Sequence, residues 1–95
     1  MSITIADTAF EQHHYDDRGD VLYVSVADYK GDAPSPHAYA TPEGHGMEFD
    51  EDWSLIQMTL VNLKWLVERD GELKITWPDG HVTHDAAPQV LAAAA

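Results

Sequence analysis

The sequence predicts an α+β fold: an antiparallel β-sheet of successive hairpins, a meander, with a short helix after the fourth strand and a C-terminal helix. Three observations carry this expectation. Apolar and polar residues alternate in "VLYVSV", "SLIQMTLV" and "ELKITW", the period of a strand with one buried face. Turn-forming clusters, "DDRG", "DED" and "PDG", border those runs. Two other stretches, "NLKWLVERDG" and "DAAPQVLAAAA", place their apolar residues at helical spacing.

Taken in order, "SITIA" alternates enough to form a short edge strand. In "AFEQHHYDDRGDVLYVSVA" two extended runs flank Asp16, Asp17, Arg18 and Gly19, which supply the turn of a hairpin. Its second strand sends Leu22, Val24 and Val26 to the core and Val21, Tyr23 and Ser25 to the other face. "DYKGDAPSPHAYATPEGHG" holds three prolines and three glycines, which oppose a regular ladder and predict a surface loop over residues 28–45. Met47 and Phe49 then alternate with Glu48. Asp50, Glu51 and Asp52 make a turn, and the next strand points Ile56, Met58 and Leu60 inward. Leu63, Leu66 and Val67 recur at helical spacing, with Asn62 as cap and Gly71 as a left-handed stop. A strand over residues 63–69 is the rival, because Leu63, Trp65 and Val67 also alternate. Leu73, Ile75 and Trp77 alternate against Glu72, Lys74 and Thr76, and "PDG" turns the chain into "HVTH". Asp85 then caps a last helix that tolerates Pro88 in its first turn and packs Val90, Leu91 and Ala94 on the sheet. Trp53, Trp65 and Trp77 are evenly spaced, but their flanks share nothing, so no repeat is read.

Composition narrows the function. Ninety-five residues suit one domain, and 44% hydrophobic residues suffice for a core that offsets the entropy of ordering. No apolar run approaches the roughly 18 residues of a membrane span, and "MSITIADTAF" lacks the basic start and apolar centre of a signal peptide, so a cytoplasmic protein is expected. With no cysteine, disulfides, thiolate catalysis and cysteine-based zinc sites are all excluded. Seventeen acids against five bases give a formal net charge of −12, which repels nucleic acid and anionic lipid. Between Lys30 and Lys64 there is no base, while Asp32, Glu43, Glu48, Asp50, Glu51 and Asp52 fall inside that interval. Such a region attracts a basic partner at a rate that falls with salt, although an acidic surface also serves plain solubility.

Catalytic patterns are weak. Asp50, Asp52 and Ser54 match the first ligand positions of a calcium loop, but Leu55 stands where glycine is needed and Val61 where glutamate must close the shell. Adjacent His13 and His14 face opposite sides of a strand, and His81 and His84 fail likewise at a separation of three. His45, between two glycines in "EGHG", is the best single candidate for chemistry, but a lone loop histidine more often decorates a surface. No "GxSxG" elbow and no glycine-rich phosphate cradle is present. No cofactor is expected.

The stretches "YDDRGDVLYVSV" (15–26) and "GMEFDEDWSLIQMTLVN" (46–62) resemble the YuzE-like family of small bacterial proteins, a domain of unknown function. The residues that carry the likeness are Tyr15, Asp16, Asp20, Leu22 and Tyr23, then Asp50, Glu51, Asp52 and Asn62. Trp53 departs from the pattern, standing where the family has glycine, and Gln57 and Thr59 make the following strand more polar. The resemblance implies a compact antiparallel α+β fold and brings no established activity; an antitoxin-like partnership with a small basic protein, as for some relatives, is an analogy at the level of the fold. The leading expectation is therefore a noncatalytic protein-interaction module, using Tyr23, Glu43, His45, Glu48, Asp50, Asp52 and Trp53. The alternative is a small metal-dependent hydrolase built on the "EGHG" loop and the neighbouring carboxylates. A homodimer is expected, because hairpin sheets leave edges that pairing covers.

Overall fold

The alternating runs do become strands. The computed structural model describes residues 3–26 and 36–94. The described strands are β1 (Ile3–Ile5), β2 (Thr8–Phe10), β3 (Gln12–Asp16), β4 (Val21–Ser25), β5 (His37–Ala40), β6 (Gly46–Phe49), β7 (Leu55–Val61), β8 (Glu72–Thr76) and β9 (Val82–Ala86), with helices α1 (Leu63–Asp70) and α2 (Ala87–Ala93). The fold class is α+β with antiparallel pairing throughout, as the sequence predicts.

The strand order differs from a meander. The central sheet runs β3-β4-β7-β6-β5, flanked by the separate hairpins β1-β2 and β8-β9. Strand β7 takes the middle because it is the longest strand and buries Met58 and Leu60 completely, and a strand buried in this way needs partners on both edges. The first helix follows the seventh strand rather than the fourth, since the short edge strand expected at "SITIA" is β1 and since β2 and β5 add strands that the sequence pattern does not display. Residues 37–40, read as loop, pair with β6: His37 and Tyr39 share the inner face with Phe49 and Met47, an alternation carried by aromatic rings rather than aliphatic residues. Residues 28–35 of that expected loop lie outside the described residues, and residues 41–45 form a turn.

One core joins the parts. Leu22, Val24, Met47, Phe49, Met58 and Leu60 from the central sheet meet Ile5 and Phe10, Leu63 and Val67, Leu73 and Ile75, and Val90 and Ala94. Val26 and Leu91, expected in the core, pack against it half-buried. No described helix is long and apolar enough to cross a membrane.

Neither expected N-cap residue caps its helix. Asn62 adopts a left-handed conformation (φ 52) and makes no side-chain cap. Instead Asp20, in the β3-β4 turn, receives the Leu63 amide on its carbonyl and the Lys64 and Trp65 amides on its two carboxylate oxygens at 2.9 and 3.2 Å. The Leu66 amide makes the first regular helical bond, to the Asn62 carbonyl, so three of the first turn's orphan donors, Leu63, Lys64 and Trp65, find their acceptors on Asp20. Gly71 ends the helix at φ 75, as expected. Asp85 lies within β9 rather than capping α2. Its buried carboxylate accepts the Ala6 amide, fixing the two-residue β1-β2 turn in which Ala6 and Asp7 both have positive φ.

Candidate functional site

The acidic run forms the β6-β7 turn, where the alternation of β6 ends and a side chain takes over the hydrogen bonding of the backbone. Asp50 Oδ1 accepts the amides of Asp52 and Ser54, each at 2.9 Å, while the Trp53 amide donates to the Asp50 carbonyl. This leaves the Glu51 and Asp52 side chains exposed and without a hydrogen-bond partner among the described residues.

Trp53 completes the turn in the left-handed region, at φ 62. That conformation costs a β-carbon-bearing residue about 1–2 kcal/mol, which is why glycine suits the position. The ring offsets the strain by stacking on His37, with centroids 3.9 Å apart and planes 11° apart, and by a tilted contact with Phe49 at 5.5 Å. The indole nevertheless stays 56% exposed. The result is a pinned aromatic surface beside three consecutive carboxylates. None of the described Lys or Arg residues belongs to β5, β6, β7 or their connections: Arg18 is in the β3-β4 turn, Lys64 and Arg69 are in α1, and Lys74 is in β8.

The other expected site residues are dispersed. Tyr23 and Glu48 lie on the outer face of the central sheet, Tyr23 38% exposed and stacked on His14. Glu43 is a structural tie: its carboxylate accepts the Thr76 amide at 2.9 Å and the Thr76 hydroxyl at 2.7 Å. Burial works to raise its pKa, but those hydrogen bonds prevail and hold it below the usual carboxylate range.

His45 is the largest correction. It is not surface decoration but is 1% exposed, its Nδ1 accepting the Val61 amide at 3.1 Å while Nε2 has no partner among the described residues. The close Thr41–His45 turn, with Gly44 at φ 97, folds the ring inward. Burial lowers its pKa, and nearby Glu43 only partly opposes this. Among the described residues no group of three or more His, Asp or Glu side chains is placed to hold a metal ion. Of the carboxylates that would join His45 in the hydrolase reading, Glu43, Glu48 or Asp50, Glu43 is engaged on Thr76, Asp50 within its own turn, and Glu48 lies on the outer face of the sheet.

Sequence reasoning missed His37 because it fell inside the expected loop. Its signal was the "HAYA" alternation, too short and too weakly apolar to register. Compared with protein-family models, curated proteins and solved structures, the chain matches none.

Proposed function

We propose that the protein is a noncatalytic interaction module whose β6-β7 turn receives a basic segment of another protein, as an antitoxin-like partner would. The observation that carries this reading is Trp53. An indole held in a strained conformation, braced from beneath by His37 and still open on its other side, is a preorganised platform for a lysine or arginine side chain. Glu51 and Asp52 add charge where a bound cation would need it, and the described residues of β5, β6 and β7 carry no competing lysine or arginine. The resemblance of residues 15–26 and 46–62 to the YuzE-like family supports the same reading.

The test is titration of a labelled Lys/Arg-rich peptide by fluorescence anisotropy at several salt concentrations. Trp53→Gly is the informative variant, because glycine accepts the φ of 62 and the fold is retained while the platform is removed. Affinity is expected to fall roughly 5- to 30-fold in this variant and to weaken steadily with salt. Equal binding by Trp53→Gly, or binding indifferent to salt, refutes the reading.

A further inference from the structure

The inner face of the central sheet is filled by the core, but its outer face carries no described helix or hairpin. Two rows of side chains cross that face. The pairing registers align His14, Tyr23, Thr59, Gly46 and Ala40 in one row, and Gln12, Ser25, Gln57, Glu48 and Ala38 in the next. Large residues occupy the β3-β4 side and small ones the β6-β5 side. The small side forms a shallow depression of about 530 Å³ beside Ala38, Ala40, Gly46 and Thr59.

We infer that this face is the interface of a homodimer, with a second copy docked face to face about a two-fold axis running along β7. The strand order β3-β4-β7-β6-β5 is balanced about β7, so such an axis exchanges the two sides of the sheet. Tyr23 then lies over the partner's Gly46 and His14 over the partner's Ala40. Gln12 covers the partner's Ala38, and Ser25, whose hydroxyl donates to Gln12 Oε1 of its own chain at 3.5 Å, faces the partner's Glu48. Thr59 and Gln57 meet their own copies on the axis. Away from the axis, each bulky residue of one copy thus finds a small one in the other, an isologous fit that a two-fold axis across the strands, which keeps the bulky β3-β4 side over itself, does not provide.

The charges oppose this occupant only at a distance. Glu48 is the one carboxylate in the two rows, and the axis sets the two copies of Glu48 on opposite sides of β7, two strand spacings or about 10 Å apart, near the screening length at physiological salt. The same axis brings both acidic β6-β7 turns to one end of the dimer. Dimerisation is therefore opposed by like charge and strengthened by salt, opposite in sign to the binding of a basic partner. The face measures about 24 by 17 Å from strand spacing and rise, and burying it in both copies removes on the order of 1,000 Å², the lower end for a specific interface. An area of this size suits a weak, reversible association.

Sedimentation velocity between about 5 and 500 micromolar reads the association. A monomer–dimer equilibrium that tightens with salt is expected. Gly46→Arg fills the depression. A β-carbon there meets nothing closer than Thr59 Cβ at 3.9 Å, so the monomer tolerates the change. The variant is expected to weaken dimerisation at least tenfold while keeping the native circular dichroism, even though its added positive charge reduces repulsion between acidic copies. Because the chain has no cysteine, Thr59→Cys offers a single thiol on the axis, which a short bis-maleimide links into dimers, whereas Lys74→Cys on β8 yields none. A monomer throughout the range, unweakened Gly46→Arg association, or failure to crosslink at position 59 overturns the inference. None of these outcomes bears on the peptide platform, which a monomeric Gly46→Arg protein retains.

Discussion

Replacing Asp20 tests how the central sheet and α1 are held together. The residue sits in the β3-β4 turn at φ 57, a conformation that aspartate tolerates better than alanine. Its carboxylate accepts the Lys64 and Trp65 amides and the Tyr15 hydroxyl, the last at 2.7 Å. Loss of an N-cap costs about 0.5–2 kcal/mol, and the upper part of that range applies where two amides lose a shared anionic acceptor. Forcing alanine into the left-handed region adds about 1 kcal/mol, so Asp20→Ala is expected to cost about 3 kcal/mol. Asp20→Asn keeps the turn but cannot accept two amides with its NH2 group, and about 1–2 kcal/mol is expected. Burial works to raise the Asp20 pKa, but the hydrogen bonds from Lys64, Tyr15 and Trp65, with the Lys64 charge, lower it overall. A depressed carboxylate stabilises the fold fully above its unfolded pKa of about 3.9 and loses that contribution as pH falls through the folded value. The gap between wild type and Asp20→Asn in urea unfolding, followed by far-UV circular dichroism, is therefore wide at pH 7 and closes in acid. A difference below about 0.5 kcal/mol at pH 7, or one that does not shrink in acid, refutes the capping argument.

Other outcomes follow from the remaining titratable groups and turns. Tyr15, raised to about 12 mainly by its hydrogen bond to Asp20, is expected to ionise at lower pH in Asp20→Asn, read by absorbance of the phenolate. His45, whose pKa is lowered by burial, favours the neutral ring in the folded state. Stability is lost as pH falls from about 6.5 toward its folded value, and His45→Gln flattens the denaturation slope between about pH 7 and 5. Asp85 has the opposite sign: burial raises its pKa, so its charge disfavours the fold at neutral pH and the penalty is relieved as pH falls through the folded value. Asp7→Gly, at φ 61 and exposed, relieves turn strain and removes a charge that raises Asp85, and a gain of about 0.5–1 kcal/mol in thermal unfolding is expected.

Elements legible in the sequence were those whose signal is local. The alternation of Leu22 with Val24 and of Met58 with Leu60, the Gly71 stop and the "DED" turn each depend on residues within a few positions of one another. Features that escaped depend on distant partners. The turn at Ala6 and Asp7 lacks Asn-Gly chemistry, and it is held by Asp85, 79 residues away. Asn62 looked like a cap by position, yet Asp20, 44 residues from Lys64, takes that role. His45 was misjudged for a related reason: glycines on both sides suggest exposure, whereas here the amide of Val61, 16 residues on, draws the ring into the core. At the site, the run of acids and the oddity of Trp53 were visible, but the bracing by His37 required the pairing of β5 with β6.

The same contacts divide the acids of this highly charged chain into two sets. Asp20, Glu43 and Asp85 each satisfy backbone amides belonging to another element, so their carboxylates act as connectors between the sheet, α1 and the flanking hairpins. Glu51 and Asp52 satisfy nothing among the described residues and stand beside an indole that the turn strains and exposes. Amide substitution in the first set alters unfolding free energy and its pH dependence. In the second set it leaves stability within about 0.5 kcal/mol of wild type, as exposed substitutions do, and changes only the affinity and salt dependence of a basic ligand. Net charge alone cannot draw this distinction. A stability change at Asp52 as large as that at Asp20 means that the turn, too, is structural, and it removes the ground for treating its acids as a binding surface.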